Sequence, residues 1–198
     1  MLASINPLGE RARNQSYPLT VTAYIAASTV AAAAFGALLG AAGQLIPHDA
    51  LAPRVAILGA LALVGLAFDA RVMGLRVPGP HRQVNEDWLV EYRGWVYGAG
   101  FGAQLGVGVV TIVTASATWL ALACAIVSGS PVAGALIGIA FGATRAVPIL
   151  ATARVHDPSA LRSRLRRLQR ARPPAARVVA VVQAVLGVGL IVGAGRLA

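Results

Sequence analysis

"GWVYGAGFGAQLGVGVVTIVTASATWLALACAIVS", residues 94–128, is apolar enough to lie in a bilayer but too long to cross one as a straight helix. At 1.5 Å per residue it would measure about 52 Å, against a hydrocarbon core of roughly 30 Å. Its first half is rich in glycine, and its centre, "TIVTASAT" (111–118), is rich in small and β-branched residues. The segment therefore predicts a steeply tilted or broken helix.

The rest of the chain has the same character. Segments 18–46, 53–75, 131–152 and 177–197 each have the length of one span. Hydrophobic residues make up 57% of the chain and charged residues 12%, a composition of polytopic membrane proteins and not of soluble domains. The expected fold class is all-α, a polytopic membrane helical bundle with five full transmembrane helices. The opening residues "MLASINPLGERARNQSYPL" (1–19) are polar and lack an apolar core, so no cleavable signal peptide is expected.

All 17 basic residues are arginine, and the formal net charge is +10. If each segment crosses once, Arg11, Arg13, Arg71, Arg76, Arg82, Arg93, Arg154 and the arginines of 162–177 fall on one side, against Arg54 and Arg196 on the other. By the positive-inside rule the N-terminus is expected in the cytoplasm and the C-terminus outside a bacterial inner membrane. In "ALRSRLRRLQRARPPAAR" (160–177), Leu161, Leu165 and Leu168 recur at helical spacing. A short helix there would lie on the inner leaflet with Arg162 to Arg172 on anionic lipid head groups; the plainer reading is a solvated loop. No aromatic residues interleave these arginines, which argues against nucleic acid as a partner.

An internal repeat adds an architecture. "TAYIAASTVAAAAFGALLG" (22–40) aligns with "SGSPVAGALIGIAFGATRA" (128–146), and "RVAILGALALVGLAFDARVMG" (54–74) with "RVVAVVQAVLGVGLIVGAGRL" (177–197). Two inverted three-element repeats follow: repeat one over 1–75, a cytoplasmic connector over 76–93, and repeat two over 94–198 with a basic cytoplasmic loop at 153–177. Segment 94–128 leads the second repeat. The first is led by a truncated N-terminal element, with its break at Asn6-Pro7.

This order resembles the transmembrane region of the DsbD/CcdA family of cytochrome c biogenesis and thiol-disulfide electron carriers. The resemblance implies that each repeat opens with a broken helix carrying Pro-Cys. Here Leu8 follows Pro7, residues 105–114 hold neither Pro nor Cys, and Cys124 is the single cysteine. Thiol exchange needs a thiolate attacking a disulfide, so the resemblance implies the fold without the redox chemistry.

Candidate functional residues are the polar groups inside the apolar segments. Asp69 and Arg145 each cost about 2.5 to 3.5 kcal/mol to insert, so each is expected to face protein or water and find a partner. They can pair with each other, as elements of a substrate or ion pathway. The alternative is a structural salt bridge or snorkelling, with Arg71 competing for Asp69. Gln104 and Gln183 can join helices or line a hydrophilic path. Thr111, Thr114, Ser116 and Thr118 can offer hydroxyls at a helix break, and Asn6 and Pro7, at the break of the first element, are candidates for the same pathway. Gly36/Gly40, Gly102/Gly106 and Gly134/Gly138/Gly142 form small-xxx-small faces for helix packing.

Other motifs point to structure. "GAGFGAQLG" (98–106) follows no strand and is not a dinucleotide loop. Trp88, Trp95, Tyr92 and Tyr97 read as an interfacial belt and Trp119 as a helix-face anchor. Asn85, Glu86 and Asp87 can cap a helix over 87–95, and these acids and Glu91 can pair with Arg82 and Arg93; a docking surface is the alternative. His48, His81 and His156 are scattered without metal-ligand spacing, and no cofactor is expected.

No nucleophile, base and orienting group assemble, so catalysis is not expected. Two functions stay open: a non-redox carrier or channel for a small solute or ion, and an accessory subunit of a larger membrane complex or homo-oligomer.

Overall fold

The computed structural model describes residues 4–46, 51–80, 87–111, 113, 115–155 and 157–197, and every regular element among them is helical. The chain opens with α1 (Pro7–Ala12). Asn6 caps it, its side-chain oxygen accepting the Leu8 and Gly9 N–H groups at 3.1 and 2.9 Å, and Pro7 takes the first helical position, where a missing N–H costs nothing. Asn14 is left-handed at φ 56° and turns the chain into α2 (Tyr17–Gly43). Next come α3 (Leu51–Asp69), a 3-10 turn at Val72–Gly74, and α4 (Trp88–Glu91). Asp87 precedes α4 without a side-chain capping bond; Asn85, Glu86 and Arg82 lie outside the described residues.

Then follow α5 (Gly94–Val107), α6 (Ala117–Val127), α7 (Pro131–Ala146), which runs into 3-10 turns over Val147–Thr152, and α8 (Pro158–Leu197). α2, α3, α7 with its extension and α8 are four helices long and apolar enough to cross a membrane. The sequence predicts five such crossings. Segment 94–128 is instead divided into helices of 14 and 11 residues, about 21 and 17 Å long, and neither reaches across alone. Gly108, at φ 81°, follows α5, and the described residues from 108 to 116 are not helical. The basic stretch expected as a loop over 153–177 is helical from Pro158 onward, continuous with the last apolar segment through Pro173 and Pro174. Leu161, Leu165 and Leu168 are half-buried there, and the arginines between them are exposed.

α2 is the central helix, packed along α5 on one side and α7 on the other, while α3 pairs with α8. Glycines set the spacing of both central seams. A Cβ added at Gly36 would meet the Gly134 carbonyl, and one added at Gly134 would meet the Gly36 carbonyl. Gly40, Gly138 and Gly142 likewise face the carbonyls of Ser130, Ala32 and Ser28. On the α5 side, Gly98, Gly102 and Gly106 face those of Thr20, Tyr24 and Ser28. Backbones this close leave no room for side chains, so attraction comes from dispersion along whole helix faces.

α1 is held by a charged side chain that the bundle encloses. Glu10 is fully buried; Tyr97 Oη lies 2.6 and 2.5 Å from its two carboxylate oxygens, and the Thr20 hydroxyl donates to it at 2.8 Å. Arg13 donates to the same carboxylate at 2.6 Å and to the Ser4 carbonyl at 2.8 Å. Burial works against the Arg13 charge, but its hydrogen bonds with Glu10 and Tyr97 outweigh it and hold the guanidinium above its usual pKa. Gln15 accepts the Gly94 N–H at 2.9 Å, tying the turn after α1 to the start of α5. Tyr97 is therefore not part of an interfacial belt: it is fully buried among Ile5, Val21, Tyr24 and Phe101.

Two predictions follow from this packing. Gly36→Leu is expected to lower stability by about 3 kcal/mol through backbone overlap, whereas Gly193→Ala, with open space around it, should change stability by less than about 1 kcal/mol. Thermal unfolding in detergent micelles, followed by circular dichroism, checks both. Glu10→Ala should cost about 2 to 3 kcal/mol, less than a fully buried pair because Arg13 keeps 26% of its side-chain surface exposed, and Tyr97→Phe about 1.5 kcal/mol. Protease should then cut the N-terminal turn of the variants faster than that of the parent.

Candidate functional site

Interrupting a helix inside an apolar segment leaves its terminal N–H groups without intrahelical partners, and in a bilayer no water is at hand to satisfy them. At the α5–α6 interruption the partner is Asp69, the last residue of α3. Ser116, which precedes α6, donates its N–H to Asp69 at 2.9 and 3.2 Å and its hydroxyl at 2.6 Å. Gln183, buried on α8, donates to the Ser116 hydroxyl at 2.9 Å and to the Ala62 carbonyl at 3.0 Å. The carboxylate thus satisfies one N–H at the start of α6 and opposes its positive dipole end. Three helices are locked around one serine.

Arg145 approaches the same turn of α6 from elsewhere. Its guanidinium stacks 5.1 Å from the Phe141 ring centroid, one turn back along α7, and so points away from the nearer end of the span at Thr152. Nη1 is buried and has no hydrogen-bond partner among the described residues. The side chain lines a cavity of about 560 Å³ between α6 and α7, together with Thr118, Thr144, Ile137 and Phe141. Asp69 and Arg145 do not pair: the carboxylate is occupied by Ser116, and the one ion pair among the described residues is Glu10–Arg13.

Two further cavities flank the interruption. One of about 540 Å³ is apolar, with Phe35, Leu61, Phe68 and Trp119 in its wall. The other, about 610 Å³, holds Asp69, Arg71, Arg76 and Arg172. Trp119 reaches from α6 to the Pro78 carbonyl at 2.8 Å and anchors the segment after α3.

The remaining candidates are dispersed. Thr111 is buried in the interruption, its hydroxyl without a partner among the described residues, and Gln104 is half-buried on α5. Asn6 and Pro7 serve the start of α1. Thr114, His48, His81 and His156 lie outside the described residues, among which no group of metal-ligating side chains forms. Cys124 is half-buried on α6. The Glu10–Tyr97 contact leaves no local signal in the sequence, since the partners are 87 positions apart. The Phe141–Arg145 stack does leave one, because a spacing of four puts both on one helix face.

Two curated proteins match the chain, both named methylamine utilization protein MauF. That of Paracoccus versutus is 38% identical over 118 residues, and that of Methylorubrum extorquens 32% identical over 123. The matches take in 58% and 61% of this chain but only 42% of each relative, so the chain spans less than half of the proteins it matches. No protein-family profile and no solved structure matches it. These findings overturn the resemblance to the DsbD/CcdA family. That likeness rested on the order of apolar segments and on Ala-, Gly- and Val-rich alignments, which such a composition generates without common descent.

Proposed function

We propose that the chain is a membrane-embedded accessory protein of methylamine utilisation, non-enzymatic, acting beside other membrane or membrane-bound components. The observation that carries this reading is the 38% identity to a methylamine utilization protein, joined to four helices long enough to cross a membrane. In the proposed arrangement α1, α2 and α3 form one three-element unit and α5–α6, α7 and α8 an inverted second one. The pairing of α2 with α7 and of α3 with α8, each helix on its repeat counterpart, supports it. The arginine-rich face of α8 lies at the cytoplasmic leaflet of the cell membrane, on anionic lipids, with the N-terminus on the same side.

A second reading, a carrier or channel for a small solute or ion, is favoured by Arg145, which has no acidic partner among the described residues and lies beside an interrupted helix. The two readings separate by experiment. For the accessory protein, deleting the gene should abolish growth on methylamine while leaving growth on ammonium intact, and a tagged copy should copurify with a stoichiometric partner in mild detergent. Normal growth on methylamine overturns it. For the carrier, methylamine or another small solute should be taken up by vesicles holding the chain alone.

A further inference from the structure

We infer that the cavity between α6 and α7 is a binding site for an anionic amphiphile, a carboxylate or phosphate head carried on an apolar chain. The inference rests on the membrane-embedded reading above. Of the two charged residues that the apolar segments were expected to carry, Asp69 is satisfied by Ser116, while Arg145 has no acidic partner among the described residues. A guanidinium left in that state inside a bilayer would ordinarily turn toward water. Arg145 instead folds back over Phe141, away from the end of its span, and leaves Nη1 buried beside Gly108 with no hydrogen-bond partner among the described residues.

Thr118 supplies a second donor. It is 93% buried, counting from its 7% exposure, lines the same cavity and makes no side-chain hydrogen bond among the described residues. Thr144 is already committed, donating to the Ala140 carbonyl at 2.7 Å. One oxyanion can therefore take a charge-assisted bond from Arg145 and a second bond from Thr118. The remaining wall, with Ala121, Ile137 and Ala140, offers nothing polar and suits an acyl chain. The volume of about 560 Å³ falls in the range of small-molecule sites.

The test uses the full chain in phosphatidylcholine nanodiscs, with oleate and acetate as probes and native mass spectrometry and thermal shift as readouts. Oleate should bind saturably and raise the melting temperature; acetate at the same concentration should not. Arg145→Gln should weaken oleate binding on the order of tenfold or more, Arg145→Lys should recover part of it, and Thr118→Val should weaken it less. In discs containing phosphatidylglycerol, loss of the oleate shift identifies a lipid head group as the resident anion. Persistence of the shift identifies a free carboxylate, and either supports the site. Equal oleate binding by the parent, Arg145→Gln and Thr118→Val, or an equal response to acetate, overturns it. A chain that fails to enter nanodiscs overturns the membrane reading with it, whereas insertion without oleate binding sinks this inference alone.

Discussion

The absence of side chains along two seams of α2 determines what the rest of the molecule can be. On one seam its carbonyls meet the glycines of α5, and on the other it meets α7 glycine to glycine. Ser28 sits where the seams converge: its carbonyl faces both Gly106 and Gly142, and its hydroxyl donates to the Gly142 carbonyl at 3.1 Å. Apolar side chains gain little by leaving lipid for protein, so a bundle in a bilayer coheres through contact area and hydrogen bonds. With side chains removed from the seams, both gains become available at once. The outward faces of the same helices keep Val, Leu and Ile exposed, as a lipid-facing surface requires.

Such a core can tolerate interrupted helices only where their ends are satisfied. α1 solves this with Asn6 at its start and with Glu10, whose carboxylate gathers Thr20, Tyr97 and Arg13. α6 solves it with Asp69 borrowed from α3. In both places an acid accepts hydrogen bonds from a neighbouring element, and so fixes the position of a short helix that could not hold itself by length. The polar groups are thereby consumed by architecture.

Much of this was legible in the sequence because it depends on local composition. That 94–128 is not one straight helix followed from its length and its glycines, with tilt and break both left open, and the four-residue spacing of Gly134, Gly138 and Gly142 pointed to one helix face. Other features depend on distant partners or on solvent. Tyr97 carries the marks of an interfacial residue, and nothing near it in the chain announces Glu10. The basic stretch 153–177 reads as a loop, yet α8 runs through it from Pro158 and continues past Pro173 and Pro174. The carbonyls left without donors there lie on an exposed, arginine-rich stretch where water can satisfy them, so the prolines cost less than they would in a bilayer. The inferred family failed for a related reason: the order of apolar segments constrains topology far more than ancestry.

Asp69 and Arg145 show how position decides the fate of an intramembrane charge. Both carry a similar insertion cost and both converge on the first turn of α6. A carboxylate accepts hydrogen bonds, and a helix start offers donors, so Asp69 is satisfied by the N–H and hydroxyl of Ser116. A guanidinium only donates, and a helix start has no acceptors to give it. Arg145 therefore gains no hydrogen bond from α6 among the described residues, and the Phe141 face offsets only part of its desolvation. Placing a cation at the end of a helix that supplies donors is unfavourable for the protein alone and becomes favourable when an anion lies between them. The geometry that fails as a salt bridge is complete as a receptor.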